Sequence, residues 1–140
     1  MRVLAIDYGT KRIGIAVSDP MGIIAQPLEF IPAEPREKVW ARLATLFQEK
    51  EVGQVIVGLP RNMDGSFGPA AEQVQAFVKD LKSRTAIAVQ TLDERLTSRE
   101  AERSLIAGNV RRAERKQKMD QTAAAILLQS FLDSRSARMQ

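Results

Sequence analysis

The first eighteen residues, MRVLAIDYGTKRIGIAVS, constrain the fold more than any other stretch of the chain. Val3, Leu4, Ala5 and Ile6 form a continuous apolar run, the pattern of a strand buried on both faces. Asp7 closes the run, and Gly9, Thr10 and Lys11 supply turn chemistry. Ile13, Ile15 and Val17 then alternate with Gly14 and Ala16, as in a second, returning strand. A carboxylate placed directly after a buried strand is costly to desolvate unless it meets a cation or hydrogen-bond donors. Asp7 is therefore the first residue that needs an explanation.

The rest of the chain alternates strands and helices. Gly22–Leu28 reads as a third strand, ended at or just after Pro27. Pro35 fits the first turn of a helix, and Val39, Trp40, Leu43, Leu46 and Phe47 recur at helical spacing, with Gly53 as the stop. That periodicity assigns Trp40 and Phe47 to the core rather than to a stacking platform for nucleic acid. Gln54–Gly58 reads as a short buried strand, Leu59–Gly68 as a loop, and Pro69 as the opening of a helix that buries Val74, Phe77, Val78 and Leu81. Ala86–Leu92 is another strand, followed by Asp93, Glu94 and Arg95. Thr97 and Glu100 fit a capping box, so a helix is expected from there to Gly108. Met119–Leu132 reads as a final helix buried against the sheet, and 134–140 as a polar, frayed tail. A leading hairpin followed by strand–helix alternation predicts an α/β domain: a mixed sheet flanked by helices, with antiparallel strands first and parallel strands after. The 140 residues suit one domain, 1–140.

Three carboxylates sit at the ends of elements. Asp7 follows the first strand, Glu94 follows the last, and Asp120 falls in the first turn of the final helix. In open α/β sheets, sites form outside the carboxyl ends of the strands. Each residue also has a purely local reading. Asp7 could cap its turn, Glu94 could pair with Arg95, and Asp120 could complement a helix N-terminus. Spacing alone does not join the three. Asp64 and Asp93 are weaker candidates, the first for turn chemistry and the second for ordering the loop after its strand.

Composition narrows the chemistry. The chain has no His and no Cys. Cys/His zinc sites and Ser-His or Cys-His nucleophiles are thereby excluded. Hydrolysis by such a chain at neutral pH needs carboxylates, Lys, Tyr or a metal-bound water, and Asp and Glu prefer hard cations such as Mg2+ or Mn2+. Two ions about 3.5–4 Å apart can activate water and stabilise the leaving oxygen of a phosphoryl displacement. The net charge is +4, and Gly108–Lys118 alone carries an equal excess: Arg111, Arg112, Arg115, Lys116 and Lys118 against Glu114. A charge so localised favours an anionic partner. No run approaches the roughly 20 apolar residues of a membrane span, and no signal-peptide pattern opens the chain. A cytoplasmic protein without membrane contact is expected.

The segments AIDYGTKRIGIAVSD, VGLPRNMDGS, TLDERLTSREA and KMDQTAAAILLQSFL resemble the four hallmark segments of the YqgF family, over a span from Arg2 to about Leu132. That family is described as pre-16S rRNA nucleases, and as Holliday-junction resolvase-like proteins, with a ribonuclease-H-like fold. The resemblance implies a metal-dependent nuclease acting in 5′-end maturation of precursor 16S rRNA. It also implies that Asp7, Glu94 and Asp120 are the catalytic, metal-binding acids. Lys11, Arg95, Arg61 and Asn62 are candidate substrate contacts, with Arg111, Arg112, Arg115 and Lys116 as the basic segment that holds nucleic acid. Two alternatives stay open: a resolvase of four-way DNA junctions, which would work as a two-fold dimer rather than a monomer, and a non-catalytic RNA-binding factor of ribosome biogenesis. The Asp-x-Gly-Thr turn is also shared with actin-like ATPases and sugar kinases. Those close two such domains around ATP, which one domain of this length does not provide.

Overall fold

The computed structural model describes residues 1–62, 64–94 and 122–139. Strand β1 (Arg2–Asp7) runs through the centre of a five-stranded sheet. Leu4 and Ile6 join the core on one face, and Val3 and Ala5 join the core on the other, which is why the sequence there is an unbroken apolar run. Strand β2 (Arg12–Ser18) returns antiparallel, with Ile6 opposite Ile15 and Asp7 opposite Gly14.

Strand β3 (Ala25–Pro32) pairs antiparallel with β2. It starts later than Gly22 and is not ended by Pro27. Pro27 is tolerated inside it because β3 is an edge strand, and because the pairing register shifts between Ile15 and Ala16 where Pro27 lies opposite. Residues 19–24 form a turn instead. The Asp19 carboxylate accepts the backbone N–H groups of Ile23 (2.7 Å), Ile24 (2.8 Å) and Met21 (3.2 Å). These bonds, those from Ile24 and Ile23 foremost, hold its pKa below the usual carboxylate value.

Helix α1 (Arg36–Glu49) follows Pro35 directly and buries Val39, Leu43 and Leu46, while Trp40 and Phe47 pack half-buried against the same core. Gly53 does not stop it. The turn is made at Lys50 and Glu51, the latter at φ 51°, and Gly53 is already inside β4 (Val52–Leu59). Helix α2 (Pro69–Arg84) opens on its proline and buries Ala71, Val74, Phe77, Val78 and Leu81, as the periodicity predicts. Strand β5 (Ala88–Asp93) follows. Helix α3 (Ala123–Met139) is the last described element. Thr122 caps it: its hydroxyl oxygen accepts the Ala125 N–H at 3.2 Å and its carbonyl accepts that of Ile126 at 3.1 Å. The helical backbone continues to Met139, across residues expected to fray. Within it the Arg135 guanidinium packs over Phe131 and against Gly22. The helix expected from Thr97, and the start of the last one at Met119, lie outside the described residues.

The sheet order is β3-β2-β1-β4-β5, in which the β3–β2 and β2–β1 pairs are antiparallel and the β1–β4 and β4–β5 pairs are parallel. This is the mixed α/β sheet that the alternation predicts. Helices α1 and α2 cover one face and α3 covers the other. Among the described residues no helix is long and apolar enough to cross a membrane.

Candidate active site

Asp7 ends β1, and Glu94 directly follows β5. Both stand at the carboxyl end of the parallel strands, the expected end. Yet β4 lies between β1 and β5. Neighbouring strands are about 4.8 Å apart, so the two backbones are separated by roughly twice that. The two carboxyl groups nevertheless share a hydrogen bond.

Two features close the gap. Glutamate is the longer of the acidic side chains, and the residue it must cross is Gly58. A Cβ on Gly58 would stand 2.3 Å from Glu94 Oε1 and 2.9 Å from its Cδ and Cγ. Glu94 therefore lies over the bare backbone of β4 to reach Asp7. A second glycine lies on the other side of Asp7. Gly14 is its register partner on β2, and a Cβ there would stand 3.7 Å from Asp7 Cβ and 3.3 Å from Phe30 Cε1. By strand alternation these groups share the face of Val3, Ala5 and Ala16, the face covered by α3.

Helix α3 contributes its N-terminal end. Gln129 accepts from the Ala25 N–H and donates to the Ile23 carbonyl, both at 2.9 Å, and Arg135 lies against Gly22. Those contacts are at the far end of the sheet, so the helix runs towards them from the carboxylate end. Its positive N-terminal dipole thus faces the acid pair. Asp120 precedes α3 in the chain and lies outside the described residues, as do Arg95, Arg111, Arg112, Arg115 and Lys116.

The electrostatics follow from the crowding. The Glu94 carboxyl is pushed up to about 7, first by burial and then by the negative charge of Asp7, their shared hydrogen bond and the charge of Asp93. A proton held between two acids marks a place where a divalent cation would relieve the same repulsion, and carboxylate oxygens are the donors that hard cations prefer. Asp7 and Glu94 fit such an ion. Among the described residues no third acidic, His or Cys group completes a metal cluster.

Asp93 turns elsewhere. It forms an ion pair with Arg61 at 3.5 Å, so it ties β5 to the loop that follows β4, rather than to the loop after its own strand that its position suggested. Arg61 also donates to the Gly65 carbonyl from both Nε (2.9 Å) and Nη2, and lies over Phe67 at 4.6 Å. Asn62 is likewise engaged inside the loop. Its N–H donates to the Ser66 carbonyl (2.9 Å) and its side-chain amide to Ser66 Oγ (3.1 Å). Asp64 accepts the Ser66 N–H (2.9 Å) and hydroxyl (2.6 Å), the turn chemistry expected of it. Lys11 is exposed on the turn between β1 and β2, at the carboxylate end. Reading the sequence missed Gly58, Gly14 and Phe30. The available signal was a glycine inside or at the end of an apolar strand, which marks a close approach of another group.

This architecture is that of known Holliday junction resolvases. The solved structure of Thermus thermophilus RuvC matches with a TM-score of 0.59 over 98% of this chain and 97% of that one, at 14% identity. The fowlpox virus Holliday junction resolvase matches with a TM-score of 0.53 over 96% and 99%, also at 14% identity. At such identities the likeness concerns the fold. Sequence identifies the family: the model of RuvX, described as Holliday junction resolvase, matches residues 1–134, and the chain belongs to that family of nucleases. Among its relatives is a protein of Pelotomaculum thermopropionicum, 47% identical over 96% of this chain and 88% of the relative. Another, from Symbiobacterium thermophilum, is 43% identical over 99% and 96%. Both bear the name "Putative pre-16S rRNA nuclease".

Proposed function

We propose that this nuclease hydrolyses phosphodiester bonds of precursor 16S rRNA, in maturation of its 5′ end, and that it depends on Mg2+ or Mn2+. The observation that carries the reading is the Asp7–Glu94 pair, brought together across Gly58 at the carboxyl end of the sheet. The rRNA substrate is supported by the names of close relatives. In this reading Asp7 and Glu94 hold the cation, with Asp120 as a third ligand. A bound divalent cation would neutralise charge on the phosphate and lower the pKa of water to generate the nucleophile. In the same reading Lys11 and Arg95 would contact the substrate backbone, and Arg111, Arg112, Arg115 and Lys116 would hold the strand that enters. Arg61 and Asn62 shape the loop next to it. The protein acts in the cytoplasm, where ribosomes are assembled.

A second reading, cleavage of four-way DNA junctions, is favoured by the family's description. One experiment separates them: purified protein incubated with precursor rRNA or with a four-way DNA junction, in Mg2+, Mn2+ or chelator. Trimming of the rRNA that stops in chelator is the expected result. Cutting of the junction alone would select the second reading, and RNA binding without cleavage would leave a non-catalytic factor. Cleavage that persists in chelator would overturn the metal dependence.

A further inference from the structure

Phe30 and Phe67 stand apart from the other rings of this protein, each about half exposed and under a guanidinium, and of the two it is Phe30 that lies on a strand in register with the acid site. Tyr8, Trp40 and Phe77 stack together on the α1/α2 face, with Tyr8–Phe77 and Trp40–Phe77 centroids 4.9 and 5.2 Å apart, and Phe131 packs against the α3 core. Phe30 instead lies on the edge strand and is 47% exposed. It also occupies a particular place. Asp7, Gly14 and Phe30 stand opposite one another across β1, β2 and β3. The ring edge and the Asp7 Cβ approach the same empty spot above Gly14, from 3.3 and 3.7 Å, which puts them within about 7 Å of each other. That is the span of one nucleotide, from a phosphate at the acid pair to a neighbouring base. The Arg12 guanidinium lies over the Phe30 ring at 4.3 Å, so the cation and the π face are already assembled.

We propose that Phe30 and Arg12 form a stacking platform for one unpaired base of single-stranded RNA, next to the phosphate held at Asp7 and Glu94. The proposal rests on the nuclease reading of that site and adds the form of its substrate. An aromatic ring and a guanidinium plane are the two surfaces on which proteins stack splayed-out bases. The guanidinium edge stays available to a backbone phosphate. A base inside a duplex has both faces covered by its neighbours, so the platform selects an unpaired one. Both approaches depend on glycine: Gly14 has no side chain between the ring and Asp7, and Gly58 has none where Glu94 crosses to Asp7.

The test is binding of a short single-stranded RNA, carrying one fluorescent aminopurine, and of the matching duplex. Asp7→Asn protein is used so that nothing is cut. Phe30→Ala and Phe30→Leu should weaken single-strand affinity roughly 5- to 100-fold and abolish the fluorescence quenching that reports stacking. Phe30→Tyr should retain both, and duplex affinity should not change. Arg12→Lys should reduce the quenching while keeping the salt dependence of binding, because the charge stays and the plane is lost. The ring is half exposed, so circular dichroism and melting temperature should match the parent.

Parent-like affinity and quenching in Phe30→Leu would overturn the platform. So would an equal loss for duplex and single strand, or a parent that binds no single-stranded RNA. Cleavage by the unmutated protein in Mg2+ is scored separately. Its absence, with quenching intact, would refute the nuclease reading and not the platform.

Discussion

The two faces of the sheet are built differently. Towards α1 and α2, the sheet presents Leu4, Ile6, Ile13, Ile15, Val55 and Val57, and packs them against Leu43, Leu46, Phe77 and Leu81. Towards α3, it presents Val3, Ala5, Ala16 and Ile56, met by Ala124, Ala125, Leu127, Leu128 and Leu132. At the carboxylate end of that second face the side chains vanish at Gly14 and Gly58, and Asp7 and Glu94 occupy the room. Large interlocking side chains stabilise by the area they remove from water. Missing side chains contribute nothing of that kind, but they let a carboxylate cross a strand. Both faces bury a core, and only the carboxylate end of the α3 face gives up side chains to make room for the acid pair.

This division can be broken from either side. The largest effect should come from Asp7→Asn, which removes a charge at nearly constant volume. Hydrolysis should fall on the order of a thousandfold or more, with an unchanged circular dichroism spectrum. Loss of folding would instead make Asp7 structural.

The opposite face should respond in the opposite way. Leu43→Ala deletes a side chain only 1% exposed in the α1/α2 core and should cost about 2–5 kcal/mol of stability. Activity per folded molecule should be preserved, as measured below the melting transition. A large drop in rate at full folding would mean that the two faces are coupled.

Gly58→Ala sharpens the comparison because it adds the smallest side chain to the chemical face. The new Cβ meets the far end of a flexible glutamate rather than backbone, so Glu94 can swing away and the fold can stay. Melting temperature without cation should be equal or slightly higher, since alanine also reduces the freedom of the unfolded chain. Affinity for Mn2+, followed by titration calorimetry, should fall about 10- to 100-fold, as when a group supporting a ligand is lost. Unchanged affinity would show that Glu94 does not need the path over Gly58.

The smallest effect concerns pH. Glu94 has its carboxyl raised to about 7 from an ordinary 4.5, by burial and by Asp7 and Asp93. The folded protein then holds that proton more tightly than the unfolded chain. Its contribution to stability is complete below about 4.5 and is lost as pH rises through about 7. Melting temperature in chelator should therefore decline across that window, and Glu94→Gln should flatten the decline. A divalent cation should reverse the slope, because it binds the ionised form. An identical slope in the glutamine variant would assign the effect to another group.

Some of this was legible in residues. Asp7 stood out because a charge ending a doubly buried strand needs a partner. The apolar faces of α1 and α2 followed from spacing, and the final helix read as buried because it is apolar on most sides. Local punctuation was less reliable. Gly53 looked like a helix stop, but Glu51 takes the positive φ and glycine falls in the next strand. Pro27 looked like a strand end, but an edge position with a shifted register has no need of its missing N–H.

By itself, the sequence determined most of the described elements and the mixed sheet, and it excluded chemistry that needs His or Cys. Periodicity, turn residues and the absence of His and Cys are properties of neighbouring residues or of composition, and they need no partner from afar. Only the tertiary structure decided that β4 is inserted between β1 and β5, so that Glu94 reaches Asp7 over Gly58. It alone also set Phe30 in line with Asp7 across two strand pairings. Those relations join residues far apart in the chain through strand order and register. Which strands pair is settled by the burial of the whole sheet between its helices, and no short stretch of sequence carries that information.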